Sequence, residues 1–253
     1  MELFSLPAVY DTAFQFRNAR KAIDFIEECV RTYGGTPVSS VVDIACGTGH
    51  YTCEFARRGL NVYGIDISRA MCRYVRQKAE TEALTVQVFC CDMVDFSLPR
   101  QCELAVCFFD SLTYLPTPQA MISHFRSVAR LLLSGSLYIL ELGVIDSFDN
   151  HNVEEVWTEN RRDFFVTSAY FREGAILDDR FQEHCTFRAV YQEHCAFFSL
   201  KYLKLALTLK TFMRLLDQAG CFTLLALYDD FDASALLDQE EVPWRIIAIL
   251  QRH

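Results

Sequence analysis

Two glycines, Gly47 and Gly49, follow an apolar β-type run over residues 41–45 and precede a helical pattern. Glycines remove side chains where backbone amides must approach a ligand, and the N-terminus of the following helix carries a partial positive charge. The spacing therefore predicts a turn that binds a nucleotide-like cofactor. Thr52 stands where a dinucleotide-binding fingerprint would have its third glycine, so a pyrophosphate is the weaker expectation.

Acidic residues end the next two β-type runs. The run Asn61–Ile65 ends in Asp66, with Ser68 as a helix N-cap, and the run Leu84–Cys91 ends in Asp92. At the end of the second strand of a doubly wound sheet, a carboxylate can accept hydrogen bonds from both hydroxyls of a ribose. Asp92 is placed to accept a hydrogen bond from the exocyclic amine of adenine. Because such sheets bind ligands at the carboxyl ends of their strands, these residues predict an adenosine ligand without a required diphosphate.

These segments closely resemble the motifs of the class I S-adenosylmethionine-dependent methyltransferases. Residues 43–49 (DIACGTG), 64–68 (GIDIS) and 90–93 (CCDM) match the first three motifs. Residues 107–115 resemble the fourth motif in the branch that contains glycine N-methyltransferase and the aminosugar N-methyltransferases, and Tyr10-Asp11 is similar to the N-terminal Tyr-Asp of that branch. The family has a glycine pair before the fifth strand, whereas here Gly135 is followed by Ser136, a departure that affects only a turn.

The resemblance implies S-adenosyl-L-methionine as the cofactor and S-adenosyl-L-homocysteine as its product. It implies that the backbone of Ala45, Gly47 and Gly49 contacts the methionine part, and that Ile67 and Met93 contact the adenine faces. Arg20 is implied as the partner of the methionine carboxylate, with Arg17 able to take the same role, although both are equally consistent with solvated helix charges. The residues expected at the cofactor are Tyr10, Arg20, Ala45, Cys46, Gly47, Thr48, Gly49, Asp66, Ile67, Met71, Asp92, Met93, Phe108 and Ser111.

Methyl transfer from a sulfonium is already favourable, so the protein must chiefly align the acceptor and exclude water, an effect worth about 7–11 kcal/mol. An amine acceptor must arrive neutral, and its proton goes to water or to a nearby side chain. Tyr10, Asp110 and Glu141 are the candidates for this catalytic role. Tyr10 is equally consistent with a packed aromatic residue. Fold resemblance leaves nitrogen, oxygen and carbon acceptors open.

Strands that alternate with helices predict an α/β fold: a doubly wound, seven-stranded, mostly parallel sheet with an antiparallel β insertion after the fifth strand. The periodicity predicts helices over residues 16–33, 51–58, 68–79, 118–133 and 211–219. We expect one methyltransferase domain over residues 1–253. Its predicted parts are an N-terminal helical lid (1–40), a cofactor-binding core (41–143), an insertion with a turn at Gly174 (150–208) and a C-terminal completion of the sheet (209–253).

The insertion is rich in aromatic residues, and we expect it to cover the transferable methyl group or to form a homodimer interface. Any single ring is more consistent with packing than with ligand contact. These rings are Phe164, Phe165, Tyr170, Phe171, Phe187, Tyr191, Phe197, Phe198 and Tyr202.

A Gln-Glu-His-Cys sequence occurs twice in the insertion, at 182–185 and 192–195. Neighbours on a strand point to opposite faces, so neither His-Cys pair suits one metal ion, and no metal is predicted. Convergence of His184 and His194 across a hairpin is the remaining alternative.

Composition and charge narrow the partners. The net charge is −9, with 33 acidic and 24 basic residues and no basic stripe, which disfavours a nucleic-acid substrate. Residues 110–113 also lack the Asn-Pro-Pro-Tyr type sequence of nucleic-acid amino-methyltransferases. No apolar window approaches the roughly 18 residues of a membrane span, and the 11 cysteines lack disulfide-scaffold spacing. We therefore expect a cytoplasmic enzyme with reduced thiols that acts on a small-molecule methyl acceptor, without a membrane partner.

Two other functions compete with this interpretation. A non-catalytic cofactor-binding protein of the same fold would use the insertion for a partner. A nicotinamide-dependent dehydrogenase is disfavoured by Thr52 and by the lack of an identifiable hydride-transfer constellation.

Overall fold

The computed structural model describes residues 3–35, 37–145, 154–177, 179–237 and 244–253, without the side chains of 3, 154 and 173–177. The helices are α1 (Pro7–Ala13), α2 (Ala19–Tyr33), α3 (His50–Arg57), α4 (Arg69–Thr81), α5 (Pro118–Leu131) and α6 (Leu209–Ala219), with 3-10 turns over Leu3–Ser5 and Ser111–Tyr114. The strands are β1 (Ser40–Ile44), β2 (Asn61–Asp66), β3 (Val86–Cys90), β4 (Cys102–Cys107), β5 (Leu132–Gly143), β6 (Glu154–Arg161), β7 (Phe164–Leu177), β8 (Arg180–Tyr191), β9 (His194–Leu205), β10 (Phe222–Tyr228) and β11 (Arg245–Arg252).

Within these residues, seven strands form a sheet in the order β10-β11-β5-β4-β1-β2-β3. β1 pairs in parallel with β2 and β4, as do β2 with β3 and β4 with β5, whereas β11 is antiparallel to both its neighbours. Alternate residues of the central strands point to opposite faces: Val42 packs in a core with α5 and α6, and Val41 packs in a core with α2. The predicted doubly wound, mostly parallel sheet is therefore confirmed.

Side-chain caps set the starts of several helices. Ser68 accepts from Met71 N at 3.3 Å, so this predicted N-cap is confirmed, and Thr117 accepts from Ala120 N at 3.0 Å at the start of α5. The first long helix begins later than predicted, at Ala19 instead of residue 16, because the Asn18 side chain accepts from Lys21 N at 3.0 Å. Residues 16–18 are therefore free to follow another path.

The insertion forms a separate antiparallel sheet, β6-β7-β8-β9, which we call sheet B. The predicted turn at Gly174 is wrong: the residue lies within β7, and the chain reverses between Leu177 and Arg180, which pair with each other. The ladder shifts register between Glu173 and Leu177, and glycine inside a strand commonly accompanies such an irregularity. The predicted start of the insertion at residue 150 lies outside the described residues.

Sheet B is joined to the rest of the chain through the N-terminal segment. Val9 and Ala13 of α1 are buried in one apolar cluster with Val166, Phe187 and Leu200 of sheet B. Trp157 Nε1 also donates to the carbonyl of Ala13 at 2.7 Å. Together, residues 4–15 and sheet B, which we call the cover, lie over the carboxyl ends of the parallel strands.

Sheet B leaves several apolar side chains exposed to solvent, among them Val156, Phe197 and Leu203. Self-association through this surface remains a prediction. In the part of the chain described here, no helix combines the length and apolar character that crossing a bilayer requires.

Candidate active site

A cavity of about 330 Å³, the first cavity, lies at the carboxyl ends of the parallel strands, beneath the cover. Its walls come from the turn after β1, the ends of β2 and β3, the loop after β4, residues 4–14 and sheet B. The predicted cofactor residues that it brings together are Tyr10, Ala45, Gly47, Asp66, Ile67, Asp92, Met93 and Ser111. A volume of this size is typical of small-molecule sites.

Asp66 is the buried acid of this cavity. Its Oδ2 accepts from Gly47 N at 2.9 Å and its Oδ1 accepts from Ser68 N at 2.8 Å. Burial raises the pKa of this carboxyl above its ordinary value, although the two backbone donors oppose the shift. Each oxygen of a carboxylate has two lone pairs, so Asp66 can still accept from both hydroxyls of a ribose.

The glycine turn leaves room for a ligand. Gly47 has φ +53°, and a Cβ built on it would lie 3.7 Å from the Tyr10 ring, in the space that the turn leaves open. The donor and acceptor set at the strand ends thus fits an adenosine, and the glycine turn fits a close backbone contact. Asp92 and the exposed Ile67 complete this wall of the cavity.

Gly49 and Met71 do not line the first cavity. Gly49 is the N-cap of α3 at φ +73°, and a Cβ there would come within 2.8 Å of Val75 Cγ1 on α4. Met71 is fully buried in the core. Packing of α3 against α4, rather than ligand contact, requires glycine at position 49.

Three other predicted residues line a smaller neighbouring cavity of about 30 Å³: Cys46, Thr48 and Phe108. Tyr10 and Gly47 contribute to both cavities, so the small one is adjacent to the glycine turn.

The structure corrects the expectation for Arg20. Its side chain is 79% exposed and lies 3.9 Å from Glu54 on the outer surface, away from the cavities. Arg17 instead points inward: its Nη2 donates to Glu141 Oε1 at 2.8 Å, and its guanidinium lies 4.6 Å from the centre of the Phe109 ring. The reason is the late start of α2, which places Arg17 before the helix and Arg20 on its solvent side.

A second cavity, of about 490 Å³, lies between sheet B and the end of β5. Among the described residues, it shares with the first cavity four lining residues, Phe109, Tyr170, Glu183 and Lys204, which we call the opening. Charged side chains of both signs line the second cavity: Arg17, Asp110, Glu141, Glu155, Arg172, Glu183, Lys204 and Arg245.

Asp110 and Glu141, two of the predicted catalytic candidates, line the second cavity but are already engaged. Glu141 accepts from Arg17, from Phe109 N at 3.0 Å and from Arg245 Nη1 at 3.3 Å. Asp110 accepts at 2.8 Å from each of Gly143 N, Thr113 Oγ1 and Lys204 Nζ. Both carboxylates therefore hold the loop after β4 in place.

That loop is strained. Phe109 and Asp110 have φ of +58° and +54°, a left-handed conformation that is unfavourable for non-glycine residues and recurs at ligand sites. The hydrogen bonds to Asp110 and Glu141 stabilise it.

Tyr10, the third catalytic candidate, lies between the glycine turn and the aromatic rings of Phe14 and Phe109. Burial and the nearby charge of Asp66 raise the pKa of its hydroxyl. This direction makes the Tyr10 hydroxyl less suited to act as a base.

Sequence reasoning missed Glu183 and Lys204. Glu183 belongs to the first Gln-Glu-His-Cys sequence, which drew attention to His184 instead. Glu183 lines both cavities, and His184, the next residue along β8, points to the opposite face of the strand. The repeated sequence therefore did contain a site residue, Glu183, but the sequence does not show which face of the strand points into the cavities.

The register of sheet B also excludes the proposed convergence of the two histidines. His184 pairs with Lys201, whereas His194 pairs with Tyr191, seven residues further along β8. Seven residues of a strand span about 23 Å, so the two imidazoles cannot share one ion.

Asp43 gives a pH-dependent prediction. It is buried beside the glycine turn, Thr52 Oγ1 donates to it at 2.5 Å, and burial raises its pKa from 3.8 to about 7. An acid with a raised folded-state pKa contributes stability below its unfolded pKa and loses it as the pH rises through the folded pKa. We expect this group to lower the free energy of unfolding by about 2 kcal/mol between about pH 5 and about pH 7.

Urea denaturation of the parent and of Asp43→Asn at both pH values measures this effect. Asparagine keeps the shape and accepts from Thr52 but does not titrate, so its pH slope should be smaller by that amount. Equal slopes in the two proteins would contradict the assignment.

The chain is similar to known methyltransferases in part of its sequence and in its fold. Residues 41–135 match the family model described as a methyltransferase domain. A solved S-adenosylmethionine-dependent methyltransferase from Clostridium acetobutylicum superposes with a TM-score of 0.78, at 20% identity over 96% of each chain. The sugar N-methyltransferase KedS8 from Streptoalloteichus sp. superposes with a TM-score of 0.74, at 19% identity over 96% of this chain and 93% of that one. Residues 41–135 therefore match a methyltransferase domain, and the predicted methyltransferase fold is confirmed over the described chain.

One curated relative has a name that states its substrate. The dTDP-3-amino-3,4,6-trideoxy-alpha-D-glucopyranose N,N-dimethyltransferase of Streptomyces venezuelae is 28% identical over 134 residues, 53% of this chain and 55% of the relative. Others are named as ubiquinone or magnesium-protoporphyrin O-methyltransferases. The chain spans between 41% and 60% of the length of the first curated relatives that it matches.

Proposed function

We propose that this chain transfers the methyl group of S-adenosyl-L-methionine to an amine nitrogen of a small molecule by in-line displacement. The observation that carries the proposal is the pair of cavities that meet at the opening. The first has the acceptors and the glycine turn that suit an adenosyl group. The second, at about 490 Å³, has room for a separate acceptor. We infer that the methyl group passes between the two bound molecules beside these four shared residues.

Different residues of the first cavity would bind different parts of the cofactor. Asp66 would hold the ribose hydroxyls, Asp92 the adenine amine, and Ile67 and Met93 the adenine faces. When bound, S-adenosylmethionine supplies an electrophilic methyl group on a positively charged sulfur. The chain contributes alignment and exclusion of water, worth about 7–11 kcal/mol. The cover supports that exclusion, since Phe4, Tyr10 and Phe14 line the cavity.

Two considerations favour nitrogen over oxygen. A neutral amine attacks without losing a proton first, whereas a hydroxyl needs a strong base, and the raised pKa of Tyr10 disfavours the phenolate that such a base would be. Similarity to an aminosugar N,N-dimethyltransferase and to the fold of a sugar N-methyltransferase supports the same choice. The O-methyltransferases among the relatives make oxygen the alternative that the experiment must separate.

A screen with labelled S-adenosylmethionine tests the proposal. The panel pairs nucleotide-linked amino sugars, free amino sugars and simple amines with their hydroxyl analogues, and mass spectrometry reads the products. We expect label on amines and not on the paired hydroxyl compounds. Label only on hydroxyl compounds would overturn the choice of nitrogen.

The same samples separate the competing functions. Binding of S-adenosylmethionine with no transfer to any member of the panel or to a metabolite extract would favour a non-catalytic binding protein. A spectral change on titration with reduced nicotinamide cofactor, without binding of S-adenosylmethionine, would favour a dehydrogenase.

A further inference from the structure

The carboxylates that line the second cavity differ in what they already bind. Asp110 and Glu141 accept several hydrogen bonds each, from backbone amides and cationic side chains. Glu183 is different: Lys204 Nζ lies 3.6 Å from its Oε1, and the Cys185 thiol is 3.9 Å from the same atom. In the described part of the chain, no hydrogen bond reaches the other oxygen, Oε2. Glu183 is thus the carboxylate of the opening with an oxygen available to a ligand.

The Lys204 ammonium lies between the carboxylates of Asp110 and Glu183. Its side chain is only 7% exposed, and its ammonium lies 2.8 Å from Asp110 Oδ2 and 4.8 Å from the centre of the Tyr114 ring. Burial opposes the charge, but Asp110 and Glu183 raise the pKa of Lys204 above its ordinary value. Asp110 and Glu183 therefore share the Lys204 ammonium, and Arg172, which pairs with Glu183 across β7 and β8, is a second cation that lines the second cavity.

A carboxylate with a free oxygen at this point suits methylation of an amine. The nitrogen lone pair forms the new N–C bond, the C–S bond breaks with its electron pair going to sulfur, and the positive charge moves from sulfur to nitrogen. A carboxylate beside the nitrogen stabilises that charge as it develops. A carboxylate is too weak a base to activate a hydroxyl, so the same residue discriminates against alcohols.

We propose that Glu183 binds the acceptor amine through Oε2 and receives its proton after transfer, for release to water, while Lys204 acts as a positioning residue for Glu183. The assignment rests on the proposed methyl transfer to nitrogen. It gives the acceptor a defined chemistry: an amine whose N–H group reaches the opening, with the rest of the molecule in the second cavity.

Glu183→Gln tests the assignment because it keeps the shape and removes the charge. With the amine that reacts fastest in the screen, we expect kcat/KM to fall about 100-fold, the size of effect typical of acid–base and charge-stabilising groups. Binding of that amine to the protein saturated with S-adenosyl-L-homocysteine, measured by calorimetry, should weaken about tenfold, the loss of one hydrogen bond to a charged group. Affinity for S-adenosyl-L-homocysteine should be unchanged. Glu183→Asp should recover part of both losses.

Glu193→Gln is the matched control, because Glu193 occupies the same place in the second Gln-Glu-His-Cys sequence but is exposed at the hairpin end of β9. It should behave as the parent. Lys204→Arg should retain amine binding, whereas Lys204→Met should lose it with a rise in KM that exceeds the fall in kcat.

The outcomes separate the two proposals. If the parent methylates amines and Glu183→Gln matches it within about threefold, Glu183 is not the acceptor-binding residue and the proposed function stands. If the parent methylates only hydroxyl compounds, both proposals fail. A general loss of cofactor affinity in Glu183→Gln and Glu183→Asp alike would assign Glu183 a structural role instead.

Discussion

Asp66→Ala is expected to weaken binding of S-adenosyl-L-methionine about 100-fold. The carboxylate would accept both ribose hydroxyls, and hydrogen bonds to a charged group contribute about 1.5–3 kcal/mol each. Loss of about 3 kcal/mol corresponds to that factor. The substitution also removes the acceptor of Gly47 N and Ser68 N, so the turn loses part of its support. Calorimetric titration with S-adenosyl-L-homocysteine measures the affinity without turnover.

Asp66→Asn serves as the control for shape, since one amide oxygen can still accept while the charge is lost. An intermediate affinity is expected. Because burial raises the pKa of Asp66, the parent should also lose affinity as the pH falls, at a higher pH than an ordinary aspartate would. An alanine variant that binds as tightly as the parent would remove the ribose contact and, with it, the proposed placement of the cofactor.

Asp11→Ala is expected to destabilise the protein by roughly 3 kcal/mol, since it removes a buried carboxylate from between two cations. Arg161 Nη1 donates to Asp11 at 2.6 Å, Tyr74 OH donates at 3.0 Å, and Lys78 Nζ lies 3.3 Å away. These partners belong to sheet B and to α4, so one side chain fastens α1 to both. Urea denaturation measures the change.

The pH dependence gives an independent check on Asp11. Burial alone would raise its pKa, but Lys78 and Arg161 lower it below the ordinary value. The carboxylate therefore contributes stability above its unfolded pKa, and this contribution is lost as the pH falls through the folded value. Glu82→Ala, which breaks a surface pair with Arg57, is the control and should cost less than about 1 kcal/mol. If both variants lost the same free energy of unfolding, Asp11 would not be what holds α1 to sheet B and α4.

The sheet and the first cavity were largely predictable because local sequence determines them. An apolar run that ends in an acid or a glycine turn defines a strand and its carboxyl end, and parallel strands bring those ends to one edge. Gly47, Asp66 and Asp92 follow from this logic. Their proposed contacts with a cofactor remain to be measured.

The choice between Arg17 and Arg20 depended on a helix start that periodicity does not resolve. A helix from residue 16 treats both as equivalent surface charges. The Asn18 cap moves the start to Ala19, which releases Arg17 toward Glu141 and leaves Arg20 in solvent. Capping by a side chain, rather than apolar spacing, decided which arginine reaches the cavity.

The second cavity was not predictable, because its walls come from segments that are distant in sequence. Which face of β8 points inward depends on the register of sheet B and on its packing against α1. A shift of one residue would have exchanged Glu183 and His184. Sequence alone therefore identified the aromatic insertion without identifying its charged residues.

The hydrogen bonds of residues 4–15 have a kinetic consequence. Ser68 Oγ donates to the carbonyl of Phe4, Gln15 Nε2 donates to Glu159 at 2.9 Å, and Trp157 donates to Ala13. Phe4, Tyr10 and Phe14 of this segment line the first cavity, so a molecule bound there lies against it. We therefore expect the residence time of the spent cofactor to depend on how often these hydrogen bonds break.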